Sequence, residues 1–329
     1  AAVLPDAPDP IDCIAEAYFR MGRIDEAIEK YEEAMAMDDN WSNPLLWYCY
    51  ALKEDYAEAL RWIDKQIPEA QNVSYAWKYF YHAWLGNLDQ SLMSLRRIEE
   101  SLESRQIAWV QWMKGWMYYD RGEFELSRHY FNAYEIDPER SRNLTPEFHH
   151  FQIGLVDIAQ DRIDSAKFRL AEMKTLLPSL SGYRKQEVEY RYHFLAAEVL
   201  LAEGKAQEAI TMCKSGLSHP VTDAEFHRQL RYNTPFLRDV QARAYYQIGE
   251  LDKAIAEYER LTNFDPNSKN RYLIHPKYYY RLGKLYEETG IKAKAIARYE
   301  KFFRLWKDAD KDLPQVIDAK NRLLNLKRQ

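Results

Sequence analysis

Apolar helical patterns alternate with short polar turns along most of this 329-residue chain. Each pattern ends at a turn residue, and a small residue follows five positions later. The turn residues are Gly22, Glu54, Gly86, Gly122, Asp161, Gly204, Gly249 and Gly290. The small residues are Ala27, Ala59, Ser91, Ser127, Ala166, Ala209, Ala254 and Ala295. Because a large side chain usually follows after four more residues, the pattern predicts paired helices with an i, i+4 buried stripe.

Glycine at most of the turn positions has a direct physical reason. A residue just past the end of a helix often takes the left-handed backbone conformation, which glycine adopts without steric cost. The small residue that follows lets the second helix approach the first closely. Glu54 and Asp161 keep the same frame without glycine. The chain is therefore predicted to be all-α and built from repeated helical hairpins.

Two segments, GRIDEAIEKYEEAMAMD from Gly22 and GELDKAIAEYERLTNFDP from Gly249, resemble the second helix of the tetratricopeptide repeat. Gly115, Gly154 and Gly283 stand where that family carries another recurrent glycine. The resemblance extends from residue 8 to about residue 307. It implies a right-handed superhelical solenoid of about eight helical hairpins. The C-terminal part also resembles the repeat modules of bacterial multidomain signalling proteins.

The resemblance divides residues 1–329, taken as a single solenoid, into units. These units lie near 8–41, 42–71, 72–107, 108–138, 147–178, 190–220, 235–266 and 276–307. A capping helix is predicted over 314–327, with one apolar face toward the core and one polar face toward solvent. The last unit of a solenoid needs such a helix to cover its core. Its apolar face is expected to contain Val316, Ile317, Leu323 and Leu324. The chain departs from the family pattern at Lys78, His82 and Asp157.

Charge is distributed unevenly along the chain. The net charge is −5 and the pI is about 6.0, which argues against nucleic acid as the main partner. Residues 1–60 carry 14 acidic and 4 basic side chains, whereas residues 267–329 carry 7 acidic and 16 basic ones. An electrically polarised molecule is therefore expected, with head-to-tail self-association through its acidic N-terminal and basic C-terminal ends as one possible partner interaction.

Cysteine usage and hydropathy indicate a cytoplasmic protein. The three cysteines are far apart and form no CxxC pair, so neither a zinc site nor a disulfide framework is expected. No apolar run reaches the ~20 residues that span a bilayer, so membrane insertion is not expected. No metal or other cofactor is predicted.

The sequence contains no catalytic motif of the common classes. HExxH, P-loop, GxGxxG and GxSxG patterns are absent. His149 and His150 are adjacent, so on a helix they point about 100° apart and do not readily share a metal. A helical-hairpin glycoside hydrolase, with paired carboxylates in an aromatic cleft, is the enzyme alternative. The units are too short and regular for that class, and we expect the protein not to be an enzyme.

An aromatic and basic strip is the strongest functional signal. In the family that the chain resembles, four positions of each first helix line the concave groove. The residues that we assign to a ligand- or peptide-binding groove on this basis are Trp109, Trp112, Trp116, Tyr119, Phe148, Phe151, Arg191, Phe194, Arg243, Tyr246, Tyr280 and Lys284. An aromatic strip at the centre of a groove is typical of an interface hot spot. Arginine and lysine beside it can hold the carboxylates of a ligand.

Two interpretations of this strip remain open at this point. The aromatic residues either bind a partner or pack against one another inside the superhelix. If they bind a partner, at least two of Trp109, Trp112 and Trp116 should be accessible to solvent. The predicted function is a protein- or peptide-binding scaffold or sensor module, the regulatory or interaction domain of a bacterial signalling protein. A small-ligand or peptide-pheromone sensor is the alternative.

Overall fold

The computed structural model describes residues 7–38, 44–65, 71–101, 107–133, 145–218, 236–267 and 271–328. Within these ranges the chain forms seventeen α-helices, one short 3₁₀ helix at Leu177–Ser179 and no strand. The all-α fold class is confirmed.

Sixteen of the described helices form consecutive hairpins, and the two helices of each hairpin are joined by a turn of two or three residues. The first four hairpins are α1 Pro8–Arg20 with α2 Ile24–Met37, α3 Pro44–Leu52 with α4 Tyr56–Asp64, α5 Gln71–Trp84 with α6 Leu88–Ser101, and α7 Ile107–Arg121 with α8 Phe124–Ala133. The next four are α9 Pro146–Ala159 with α10 Ile163–Leu176, α11 Gly182–Ala202 with α12 Ala206–Leu217, α13 Phe236–Gln247 with α14 Leu251–Leu261, and α15 Pro276–Glu288 with α16 Lys292–Leu305. The last helix is α17, Pro314–Arg328.

Local sequence explains where these helices begin. Proline is the first residue of five of them, a position where its missing N–H removes no helical hydrogen bond and its fixed φ suits the helix. These prolines are Pro8, Pro44, Pro146, Pro276 and Pro314. The division of the chain into eight repeat units and a cap remains an interpretation of the helix order.

The predicted turn positions have the backbone conformation that the sequence required. All six glycines at these positions have positive φ, for example 79° at Gly22. Glu54 at 60° and Asp161 at 58° are the non-glycine residues with positive φ in the described ranges. The turn between the two helices of a hairpin therefore imposes the left-handed conformation even where the turn residue is not glycine.

Close approach of the two helices in a hairpin depends on the small residues. All eight residues predicted five positions after the turn are fully buried. Ser127 uses its hydroxyl to donate a 2.8 Å hydrogen bond to the carbonyl of Gly115 on the facing helix. A Cβ on Gly115 would lie 2.4 Å from the Phe131 ring, so a larger residue would force the helices apart.

The solenoid closes on itself. Leu273, which lies just before α15, belongs to the same buried core as Phe19, Trp47 and Trp77 of the first three hairpins. Pro266 and Trp306 also reach this end of the molecule, since they approach Gly22 and Gly86, the turn glycines of the first and third hairpins. We call the contact between the first four turns and residues 264–267 and 271–310 the closure seam.

The last helix packs differently from the prediction. Ala319 and Leu326 are buried, Val316 and Leu323 are partly buried, and these four positions follow an i, i+3, i+7, i+10 stripe. Ile317 and Leu324 were assigned to the same apolar face, but they are 48% and 45% exposed. Each lies one residue beyond the stripe, about 100° around the helix, so this part of the prediction is wrong.

Candidate functional site

The aromatic strip on α7 is mostly buried. Trp112 is 2% and Trp116 is 7% exposed, while Trp109 and Tyr119 are partly buried. An open groove would require at least two of the three tryptophans to be accessible to solvent, whereas Trp112 and Trp116 are both buried.

The strip is buried because its rings pack against the second helix of their own hairpin and against the first helices of the next hairpins. Ring centroids are 5.2 Å apart for Trp116 and Phe131 and 6.4 Å apart for Trp116 and Phe151. Phe151 continues the row to Phe194 at 5.6 Å. The Arg191 guanidinium lies 4.2 Å from the centre of the Phe148 ring, in cation–π geometry. The assignment of these α7, α9 and α11 residues to a partner-binding groove stays a prediction.

The four remaining groove candidates surround one cavity. Arg243 and Tyr246 on α13, together with Tyr280 and Lys284 on α15, line a pocket of about 260 Å³. The sequence interpretation missed four further lining residues, which are Tyr258, Arg281, Leu285 and Glu288. Three cationic side chains, three tyrosines and one leucine thus meet at this pocket, with Glu288 as its acidic member.

A buried ion network supports one wall of the pocket. Asp239 is 7% exposed and accepts hydrogen bonds from Arg243 at 3.1 Å and from the Tyr258 hydroxyl at 2.9 Å. Arg281 also donates to Asp239. Arg243 continues the network across to Glu198 on α11, with one contact at 3.1 Å. Asp239 therefore holds both guanidinium groups in place, and Glu198 from the preceding hairpin also holds Arg243.

The electrostatics of the network favour its charged form. Burial alone would raise the pKa of the Asp239 carboxyl, but Arg281 and Arg243 outweigh it and lower that pKa to about 2. Burial would lower the pKa of Arg243, but Glu198 and Asp239 raise it further above its usual range. The charges are thus paired at any physiological pH.

The guanidinium groups keep capacity for a ligand. The Arg243 and Arg281 side chains are 32% and 36% exposed, and each guanidinium has five N–H donors. Lys284 is partly buried, with its amine 5.6 Å from the Tyr280 ring centre. Tyr246, at 48% exposure, stands at the rim. The arrangement offers positive charge and aromatic surface to the same ligand.

The last helix, α17, supports the pocket through Tyr280. The Tyr280 hydroxyl donates a 2.7 Å hydrogen bond to Asp318 on α17, and Arg322 donates to the same carboxylate at 2.7 Å. These contacts fix the Tyr280 ring, which is one wall of the cavity. Three alternate helices, α13, α15 and α17, therefore position the site.

The sequence held partial signals for the residues that were missed. Asp239 and Arg243 are spaced i, i+4 on one helix face, which predicts their ion pair. Arg281 follows directly after a groove position. Tyr258 occupies the large-residue position of the buried stripe, so the sequence indicated only its burial, which is 3% exposure in the structure.

No metal site is evident in the part of the chain that the structure describes. No group of three or more His, Cys, Asp or Glu residues there is arranged to hold a metal ion. His149 instead contacts Asn132 at 3.0 Å. Among the described helices, none has both the length and the apolar character needed to cross a membrane.

Sequence comparison identifies the repeats. Residues 10–41, 240–268 and 278–308 each match a family model described as tetratricopeptide repeat. The chain therefore contains tetratricopeptide repeats. The residues that line the pocket all fall within the matches at 240–268 and 278–308, so the pocket lies between two recognised repeats. A comparison with curated protein sequences gives no match.

Solved structures with a similar fold are distant in sequence from this chain. A tetratricopeptide repeat protein from Parabacteroides merdae is 15% identical, with 98% of this chain and 99% of that chain covered and a TM-score of 0.47. The Rap protein complexed with competence and sporulation factor is 14% identical, with 97% and 87% covered and a TM-score of 0.48. Cut9–Hcn1 of the APC/C is 12% identical with a TM-score of 0.46, and this chain covers 56% of that chain's length.

Proposed function

We propose that this chain is a protein-binding scaffold whose pocket between α13 and α15 takes an acidic segment of a partner protein. The observation that carries the proposal is the meeting of Arg243, Arg281 and Lys284 with Tyr246 and Tyr280 around one cavity. Guanidinium groups bind carboxylates through paired hydrogen bonds, and tyrosine contributes contact area at low entropic cost.

The size of the pocket favours a protein or peptide over a free metabolite. Its volume of about 260 Å³ is at or below the roughly 300–1,000 Å³ of typical small-molecule sites. A space of this size suits one or two side chains of a peptide. The rest of such a peptide would lie on the rim, where Tyr246 is exposed. The small-ligand sensor therefore remains the second candidate.

The wider context of this binding is also a proposal. The resemblance of the C-terminal repeats to those of bacterial signalling proteins supports a regulatory or interaction module in a cytoplasmic signalling assembly. In this role the chain holds a partner and performs no chemistry of its own.

A second copy of the chain is a further candidate partner. The outer helices expose apolar pairs spaced i, i+7, namely Ile14 with Met21 on and just after α1, and Ile317 with Leu324 on α17. The charges of the two ends are opposite in sign. Head-to-tail association would raise the mass measured by light scattering as concentration rises and would weaken with salt.

The pocket is tested with a fluorescein-labelled peptide of alternating glutamate and tyrosine, read by fluorescence anisotropy. Lys284→Glu reverses one pocket charge and should weaken binding at least tenfold, because a charge-assisted hydrogen bond contributes roughly 1.5–3 kcal/mol. Lys174→Glu on α10 makes the same charge change at an exposed site and should have little effect.

The same titration separates specific from general electrostatic binding. A peptide of alternating lysine and tyrosine should not bind. Equal affinity for both peptides, or an equal loss in the Lys284→Glu and Lys174→Glu variants, would show that the pocket is not the binding site.

A further inference from the structure

The closure seam is built largely from helix ends. The first and last turns of a helix leave backbone N–H and C=O groups without helical partners. In this chain the C-terminal residues supply partners for the first three hairpins. Arg271 donates to the carbonyl of Arg20, the last residue of α1, at 2.9 Å. The Trp306 indole donates to the carbonyl of Trp84, the last residue of α5, at 3.1 Å.

Asp310 serves both sides of the third turn. Its backbone N–H donates to the carbonyl of Gly86 at 2.9 Å. Its carboxylate accepts a 3.1 Å hydrogen bond from the N–H of Leu88, the first residue of α6. It therefore acts as an N-terminal cap for a helix that lies 222 residues earlier in the chain.

Side chains with opposite charge complete the seam. Glu54, at the second turn, forms an ion pair with Lys301 on α16 and accepts a 2.7 Å hydrogen bond from the Tyr279 hydroxyl. Lys277 lies 3.5 Å from Asp120 near the fourth turn. Gly22 is required at the first turn, since a Cβ there would lie 2.2 Å from the Pro266 carbonyl oxygen.

The seam is additional to the contacts that fold the hairpins. In a solenoid each repeat packs on its neighbours, so the array does not need contact between its first and last units to keep its helices. Opening the seam would therefore break this set of hydrogen bonds and ion pairs and expose the apolar contact of Leu273, while the hairpins remain folded.

Helix α15 belongs to both the seam and the pocket. Lys277 and Tyr279 reach the first half of the chain, and the ring of His275 at the N-cap of α15 lies against Trp84 in a tilted arrangement with ring centres 4.5 Å apart. Tyr280 and Lys284 on the same helix line the pocket. The seam thus holds α15 from one side, and the other side of the helix lines the pocket that binds the ligand.

We propose that the closure seam is a conformational device that holds α15 in its binding position and so sets the affinity of the pocket. A ligand that binds the closed form shifts the molecule toward closure, and opening the seam weakens ligand binding by the same factor, because such coupling is reciprocal. The ligand part rests on the proposed function, whereas the closure itself does not.

The test combines Lys301→Ala with Asp310→Ala, two residues that do not line the pocket. Loss of one helix cap and one partly buried ion pair should favour the open form about tenfold. The radius of gyration from small-angle X-ray scattering should increase. Amide hydrogen exchange in residues 280–288 should accelerate about tenfold, and the glutamate–tyrosine peptide should bind about tenfold more weakly.

The control is an ion pair of similar burial between neighbouring hairpins. Lys114 and Glu99 are 2.6 Å apart with side chains 12% and 30% exposed, and Lys114→Ala should leave the exchange of residues 280–288 unchanged. Tyr279→Phe, which removes only the hydroxyl bonded to Glu54, should shift exchange and affinity in the same direction by a smaller factor. It provides the measurement if the double variant loses its helical circular dichroism.

The outcomes separate the two proposals. If exchange of residues 280–288 does not change in the seam variants, the seam does not hold α15 and the inference is wrong. If exchange accelerates but peptide affinity stays constant, the coupling to the pocket is wrong. If the native protein does not bind the peptide at all, the proposed function is wrong, and the exchange result alone decides whether the seam acts on α15.

Discussion

Asp157 is a single residue that changes how two hairpins are joined. It stands where the repeat family usually carries tyrosine, and it is 1% exposed. Arg128 on the preceding hairpin donates to its carboxylate at 2.5 Å and to Gln160 at 2.7 Å. The sequence showed the departure from the family pattern but not its partner, because the two residues come together only through the packing angle of α8 and α9.

Removal of Arg128 should therefore destabilise the fold strongly. Arg128→Ala leaves a buried carboxylate without its main partner, and such losses cost about 3–5 kcal/mol in the free energy of unfolding, measured by urea denaturation. Arg162→Ala breaks an exposed pair with Glu125, where the side chains are 47% and 71% exposed, and should cost at most about 1 kcal/mol. Comparable losses in both variants would contradict this account of Asp157.

At the scale of elements, the sequence predicts the positions of the helices better than it predicts which of their faces are exposed. The turn frame predicted left-handed conformations even at Glu54 and Asp161, because it combines a helix end, a small residue and a large residue at fixed spacing. The α7 helix is apolar nearly all round, so its sequence allowed either a groove or a second packing face. The exposure of this helix depends on how the neighbouring hairpins pack, as in the contact of Trp116 with Phe151 on α9, and the sequence of α7 alone does not contain that information.

Because the aromatic strip on α7 is mostly buried, we expect its residues to affect stability more than partner binding. Trp112→Ala should cost about 3–5 kcal/mol of stability, since it removes a large side chain that is 2% exposed. Tyr246→Ala at the pocket rim, where the ring is 48% exposed, should change stability by about 0.5 kcal/mol or less and weaken peptide binding. Thermal melting and anisotropy of the two variants together test this. A Trp112→Ala protein that melts like the parent would mean that the strip faces an open groove after all.

At the scale of the whole molecule, part of the charge asymmetry has partners inside the chain. Glu54 in the acidic N-terminal region pairs with Lys301 in the basic C-terminal region, and Lys277 of that region contacts Asp120. The sequence showed the asymmetry but suggested contact between copies. The seam could not be predicted, because it depends on the sum of small rotations from one repeat to the next, and these accumulate over more than 200 residues.

Protonation of two partly buried histidines should limit the stability of the whole fold in acid. Burial, assisted by His150 and Arg169, lowers the pKa of His149 to about 4. Burial also lowers the pKa of His275 well below its usual value, with Lys277 and Arg281 acting in the same direction and Asp239 opposing them. Both side chains are therefore neutral in the folded protein at pH values where the unfolded chain, with a histidine pKa of about 6.5, takes up protons.

The sign and range of the effect follow from these pKa values. The contribution of the two neutral histidines to the free energy of unfolding is fully present above pH about 6.5. It is lost as pH falls toward 4, by at most about 1.4 kcal/mol per pH unit for each histidine. Carboxylates such as Asp239, with a pKa of about 2, lose their contribution only at lower pH, so the two ranges are separable. Urea denaturation between pH 7.5 and 4.5 measures the slope. His149→Gln should make the slope of the free energy of unfolding against pH shallower. His129→Gln, at an exposed position, should leave that slope unchanged. Identical slopes in both variants would show that His149 does not couple folding to protonation.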